Sequence, residues 1–159
     1  MTLEYVIQYR VYESIHELSE LQRKILEVAY SSSQLAYAPY SNFKVGAAVL
    51  LSNNEIIKGF NQENASYPCG ICAERNALYS SIATYPKEQI LILAISCFSQ
   101  NLKKLPSTPC GLCRQVMNEI EINNKKEIEL ILGHPRGQII TFNTCKDLLP
   151  FGFTPDNLN

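Results

Sequence analysis

Cys72, Cys110 and Cys113 have the types and spacing to do chemistry together, and Glu74 stands two places beyond the first of them. Three thiols in a one-plus-two arrangement suit Zn2+. A tetrahedral zinc with only three protein ligands keeps its fourth position for water, as catalytic rather than structural sites do. A carboxylate beside that water can carry its protons. Each thiol binds as a thiolate, so three of them on a dication leave about one excess negative charge, which blunts the metal's power to acidify water. Arg75, adjacent to Glu74, is placed to hydrogen-bond the thiolates and offset that charge.

A bland alternative uses four thiols. Cys69-x-x-Cys72 and Cys110-x-x-Cys113 together make a set that closes a structural zinc module around no chemistry. The gap between the two pairs is longer than ribbon spacing allows. A chain of 159 residues also needs no metal staple to fold, and Glu74 would have no role in a closed site. The open set of Cys72, Cys110 and Cys113 is the favoured reading. Cys97 and Cys145 read as small buried hydrophobes. His16 in a helical first turn and His134 in a turn suit surface or half-buried positions and stay outside the site.

Composition excludes several partners. With 14 basic residues against 15 acidic ones, the chain lacks the basic footprint that nucleic acid or an anionic membrane surface demands. Apolar runs such as Ile90 to Ile95 are too short to span a bilayer. Glu4 and Arg10 interrupt any secretory pattern near the start. A cytoplasmic location follows, where paired cysteines serve metal binding rather than disulfides.

The thiols and the acid need elements to hold them. Leu3, Tyr5, Ile7, Tyr9 and Val11 alternate, which reads as an extended arm over residues 1–17. Ser14 and Glu17 form a capping box, so a helix is predicted from Ile15 to near Tyr37. Strands from Phe43 to Leu51 and Ile56 to Phe60 flank the turn Ser52-Asn53-Asn54 as a hairpin. Cys72 opens a helix reaching about Ala83, and Cys110 and Cys113 flank the start of another that ends near Ile122. Thiolates are favoured there by the free N–H groups and partial positive charge of helix N-termini. Between those helices, Ile90 to Cys97 is continuously apolar, as a strand buried on both faces must be, and Ser99 to Pro109 reads as a loop. Strands at Ile128–Leu132 and Gln138–Phe142 and a short helix at Cys145–Leu149 complete the order. This predicts an α/β fold, a three-layer α-β-α sandwich around a mixed five-stranded sheet, with one domain over residues 18–159.

Cys-Ala-Glu followed by Pro-Cys-x-x-Cys is the signature of zinc nucleobase deaminases, with Cys rather than His in first place. The chain as a whole resembles the small homotetrameric cytidine deaminases. The resemblance runs through Pro39-Tyr40-Ser41-Asn42-Phe43-Lys44-Val45-Gly46-Ala47-Ala48 and Asn61-Gln62-Glu63-Asn64-Ala65-Ser66-Tyr67-Pro68. It continues through Gly70-Ile71-Cys72-Ala73-Glu74-Arg75-Asn76-Ala77, Pro109-Cys110-Gly111-Leu112-Cys113-Arg114-Gln115-Val116 and Leu148-Leu149-Pro150. It implies one Zn2+ per subunit and hydrolysis of free cytidine and deoxycytidine, with zinc-bound hydroxide attacking C4 and Glu74 shuttling protons. It implies that Phe43 stacks on the pyrimidine, that Asn61 and Glu63 hydrogen-bond the ribose, and that backbone near Ala73 reads the base. It further implies a homotetramer in which Tyr67 and Phe153 reach neighbouring sites. The arm before residue 18 has no counterpart in the typical short member; adding a strand to a sheet edge and covering an interface are two uses for it. Phe43, Asn61 and Glu63 favour an ordinary nucleoside over a modified cytosine such as that taken by the blasticidin S deaminases.

Overall fold

Side-chain alternation along the central strands decides the layering. The computed structural model describes residues 1–98 and 106–158. Its strands are Tyr9–Tyr12 (β1), Lys44–Leu51 (β2), Ile56–Phe60 (β3), Ile90–Phe98 (β4), Glu129–Gly133 (β5) and Ile139–Phe142 (β6). Its helices are Glu20–Ser33 (α1), Ala73–Thr84 (α2) and Gly111–Asn124 (α3). The strands form one mixed sheet in the order β1-β6-β5-β4-β2-β3. β4 and β5 run parallel, and the other neighbours are antiparallel. A parallel pair needs a crossover, and α3 supplies it.

Ala47, Val49, Leu93, Ile95, Leu130 and Leu132 face α2 and α3 and pack on Ala77, Leu78, Met117 and Ile120. The residues between them, Ala48, Leu50, Ile92, Ala94 and Ile131, face α1 and pack on Ile25, Leu26 and Ala29. β4 therefore buries both faces, which is why its sequence is apolar without interruption. Each fully buried Leu or Ile contributes about 1.5–3 kcal/mol relative to exposure.

Two glycines set how closely the helices approach the sheet. A Cβ on Gly46 would lie 2.0 Å from the Ala29 carbonyl oxygen, so α1 rests on bare β2 backbone. A Cβ on Gly59 would lie 2.5 Å from both the Ala73 oxygen and the Ala77 nitrogen, so the first turn of α2 sits directly on β3.

The sheet has six strands where five were expected. The added strand is β1, which the arm lays antiparallel against β6, pairing Tyr9 with Phe142 and Tyr12 with Ile139. The first helix also starts later than expected. Ser14 and Glu17 do form a capping box, but on a single 3-10 turn, Ile15–Glu17. A second box, Ser19 with Gln22, starts α1. Cys145–Leu148 is likewise a 3-10 turn rather than an α-helix. The loop expected between Ser99 and Pro109 lies outside the described residues as far as position 105.

Candidate active site

Cys72 is the N-cap of α2 and Cys110 the N-cap of α3, and neither side chain caps its own helix. Two helix N-termini thus present uncommitted sulfur. Cys113 joins them from the first turn of α3, since residues three apart share a helix face. The three Sγ atoms lie within 4.8 Å of one another, and those of Cys110 and Cys113 are 3.6 Å apart. Tetrahedral zinc at about 2.3 Å from each sulfur asks for sulfurs roughly 3.8 Å apart, so the set fits the metal. Cys113 is buried, Cys72 half-buried and Cys110 exposed, which leaves one side of the cluster open. Cys69 stands outside the cluster, exposed, with its thiol on the Ser66 hydroxyl.

The electrostatics of the cluster ask for a cation. A hydrogen bond from Cys113 draws the Cys72 thiol down to about 5, with Arg75 adding to the effect. The same bond, with burial, pushes Cys113 well above the ordinary thiol range. Burial opposes the charge on Arg75, but the thiolate at Cys72 outweighs it and holds the guanidinium pKa above its usual value. Arg75 Nη2 donates to the Gly70 carbonyl at 3.5 Å, and its buried Nε has no partner among the described residues. Glu74 is 5% exposed. Burial pushes its carboxyl up to about 7, and the neighbouring Cys72 adds to the rise.

A cavity of about 180 Å3 opens beside the cluster, lined by Phe43, Val45, Asn61, Cys72, Ala73, Glu74, Ile95, Cys97, Ser107, Thr108 and Cys110. It adjoins a wider cleft of about 460 Å3 that shares Asn61 and Cys72 and is bounded by Tyr40, Ser41, Glu63, Tyr67, Arg75 and Leu112 among others. Phe43, Asn61, Ala73 and Glu74 therefore meet Cys72 and Cys110 in the small cavity, while Glu63 and Tyr67 line the wide one. Phe153 borders neither of these two cavities. Its carbonyl accepts from Gln115 Nε2 at 2.8 Å and Asn118 Nδ2 at 3.3 Å.

Asn61 does more than the sequence suggests. Its Oδ1 accepts from the Val45 N–H at 2.8 Å and its Nδ2 donates to the Phe43 carbonyl at 2.9 Å. The carboxamide thus fixes the start of β2, and one N–H and one lone pair remain for a ligand. The neighbouring backbone is stitched toward Cys72: Gln62 and Ile71 exchange N–H to carbonyl bonds of 3.0 Å each. Glu63 accepts from the Tyr40 N–H at 2.9 Å, the Ser41 N–H at 3.3 Å and the Ser41 hydroxyl. The Ser41 hydroxyl and Tyr40 N–H hold its pKa below the ordinary carboxylate value. Cys145 is the buried hydrophobe expected, whereas Cys97 is half-buried and lines the cavity. Ser107, Thr108 and Ile95 were not singled out from sequence. Only the approach of β4 to the loop before α3 brings them to the wall.

The sequence pattern of the cytidine and deoxycytidylate deaminase zinc-binding region matches residues 19–126, a span that holds Glu74 and all three clustered cysteines. The chain belongs to this deaminase family. The cytidine deaminase of Halalkalibacterium halodurans is 36% identical over 138 residues, covering 87% of this chain and 98% of its own length. The probable cytidine deaminase of Dictyostelium discoideum is 36% identical over 135 residues, 85% of each chain. The crystal structure of cytidine deaminase from Burkholderia pseudomallei is similar with a TM-score of 0.71 at 36% identity, over 86% of this chain and all of that one. The family's zinc-binding region and the Cys72, Cys110 and Cys113 cluster together make this a zinc-dependent deaminase. Among the described residues no helix is long and apolar enough to cross a membrane.

Proposed function

We propose that this chain hydrolyses free cytidine and deoxycytidine to uridine and deoxyuridine, releasing ammonia. The observation that carries the reading is a buried carboxyl, Glu74, which shares the wall of a cavity of about 180 Å3 with Cys72 and Cys110 of the three clustered thiols. Zn2+ held by Cys72, Cys110 and Cys113 supplies a Lewis acid that makes water nucleophilic at neutral pH. Glu74 takes one proton from the water that adds at C4 and gives it to ring N3. It then takes the remaining proton of the new C4 hydroxyl and gives it to the amine, which leaves as ammonia as C4–O becomes the carbonyl. Burial, the largest cause of the raised Glu74 pKa, favours a carboxyl that can hold as well as release a proton. Arg75 balances the thiolate charge.

Phe43 offers its ring face to the base, and the backbone at Ala73 reads the edge of the base. Asn61 and Glu63 take the ribose hydroxyls in the wider cleft. Glu63, held ionised, accepts well from hydroxyls and repels a phosphate. This supports a nucleoside over a nucleotide substrate. Tyr67 and Leu112 are 75% and 68% exposed beside the cleft, and Phe153 is exposed as well. Such apolar surface supports a homotetramer whose subunits complete one another's sites. Six cysteines without a disulfide among them support a reducing, cytoplasmic setting.

The test is loss of the cytidine absorbance band, with deoxycytidine and deoxycytidylate in parallel, for wild type and Glu74→Gln at measured zinc content. Turnover of both nucleosides by wild type is expected, with Glu74→Gln at equal zinc slower by about 10^2 to 10^4. Zinc-loaded wild type that turns over neither nucleoside overturns the reading.

A further inference from the structure

Among the described residues, Arg114 supplies the side-chain hydrogen bonds to the stretch just before Cys110. Residues 106–110 form neither strand nor helix, and Pro109, buried there, has no N–H to donate. Arg114, one turn into α3, reaches back to this loop. Its Nε donates to the Pro109 carbonyl at 2.9 Å and its Nη2 to the Thr108 hydroxyl at 3.4 Å. Its Nη1 donates to the Leu148 carbonyl at 3.1 Å. One guanidinium therefore ties the ligand loop to a segment far along the chain.

That segment is a firm anchor. Glu121 of α3, 2% exposed, accepts from the Cys145 N–H at 2.8 Å and the Ile128 N–H at 2.9 Å, and also from the Thr144 hydroxyl. The Cys145–Leu148 turn is thereby fixed to the body of α3, and Leu148 ends it. Loop and anchor meet at Arg114. Three acceptors in different directions suit the planar fork of an arginine and not the single ammonium of a lysine.

We propose that Arg114 is a positioning residue for the zinc centre. It holds the Thr108–Cys110 loop so that Cys110 closes the thiol set and Thr108 walls the base cavity. The inference rests on the zinc deaminase reading of the site, but it concerns metal retention first and turnover second. Without the guanidinium, Cys110 keeps the Arg114 N–H on its carbonyl at 3.0 Å, but the Thr108–Pro109 stretch before it loses its ties to Arg114 and through it to Leu148, and zinc leaves more readily.

The experiment compares zinc release to a chromogenic chelator, melting temperature and steady-state kinetics. The proteins are the zinc-loaded wild type, Arg114→Met, Arg114→Lys and Gln115→Ala. Partners one shell beyond a metal typically change affinity or activity by about 10- to 100-fold. Release from Arg114→Met is expected to be faster than wild type by at least about tenfold on that scale, with Arg114→Lys between. Gln115→Ala, which cuts only the tie to Phe153, is expected to release zinc at the wild-type rate. Should Arg114→Met fail to fold, Arg114→Lys against Gln115→Ala decides alone. Wild-type release rates in a folded Arg114 variant overturn the proposal. So does faster release in Gln115→Ala to the same degree, which makes the effect one of general loosening. A wild type that retains zinc but deaminates nothing overturns the substrate reading and leaves the release comparison decisive for Arg114. A wild type that holds no zinc overturns both.

Discussion

Glu63 and Glu74 are carboxylates of neighbouring cavities, and their surroundings drive them to opposite states. Donors from Ser41 and Tyr40 hold Glu63 ionised, whereas burial lifts Glu74 to about 7. On the proposed function, that split suits Glu63 to fixed charge and Glu74 to moving protons. A depressed pKa means that the charged form of Glu63 persists above 4.5 and is lost only as pH falls through a still lower value. Its binding contribution is therefore constant across neutral pH. Glu63→Gln is expected to raise KM by roughly tenfold, the scale of a charge-assisted hydrogen bond, with kcat little changed. The ratio of mutant to wild-type KM should be the same at pH 6 and pH 8. A ratio that drifts between those values would assign Glu63 a proton to move. Only the fold brings the two pairs together, but Cys72 with Glu74, and Cys110 with Cys113, were legible in the sequence because short spacings at a helix start survive folding unchanged. The clamp that Asn61 places on Phe43 and Val45 was not, because it exists only once β3 has paired with β2. Thr108 was missed because it reaches the wall only once the loop before α3 lies against β4.

At the scale of elements, the site depends on where two helices begin, and the sheet decides that for α2. The Phe60 N–H donates to Asn76 Oδ1 at 3.3 Å, and bare backbone at Gly59 lets the Ala73 turn settle on β3. Gly59→Ala inserts a methyl group 2.5 Å from two backbone atoms of α2, which nothing flexible can absorb. Overpacking of this kind costs about 1–3 kcal/mol, or roughly 2–4 °C of melting temperature per kcal/mol in a domain of this size. Because Ala73 follows Cys72 directly, the displacement also reaches the metal. Zinc content should fall along with the melting temperature of Gly59→Ala, measured by scanning calorimetry and metal analysis. A melting temperature equal to wild type would mean that β3 and α2 are not held at a fixed spacing. Most elements were legible from periodicity, since alternation and helical stripes are local. The start of α1 was not: Ser14 and Ser19 both satisfy the capping-box rule, and only packing selects the second for the α-helix. The sixth strand was legible as alternation in the arm but not as a partner of β6, which is a long-range choice.

Among the described residues, the molecule leaves its site open on one side. Phe43 is 44% exposed on a cavity that should enclose a base, and the wider cleft is walled by exposed Tyr40, Tyr67 and Leu112. A ring stacked on Phe43 in this single chain would keep contact with water, and binding sites for small molecules usually bury most of the ligand. Tyr67 packs edge-on against Tyr40 at 6.0 Å, so the rim is ordered before any partner arrives. A contiguous apolar rim of this kind marks a surface for association, and a second subunit seated there would exclude the water that weakens the polar contacts within. In the proposed assembly Leu112 would link association to catalysis, since it adjoins Cys113 in sequence yet lines the cleft rather than the core. Leu112→Arg places charge in the middle of that rim without touching a thiol. It is expected to yield single chains by analytical ultracentrifugation, with zinc retained, the secondary structure of wild type and a raised KM. Single chains with the wild-type kcat and KM would show instead that one chain encloses its substrate unaided. In that case the exposed rim would need a different occupant.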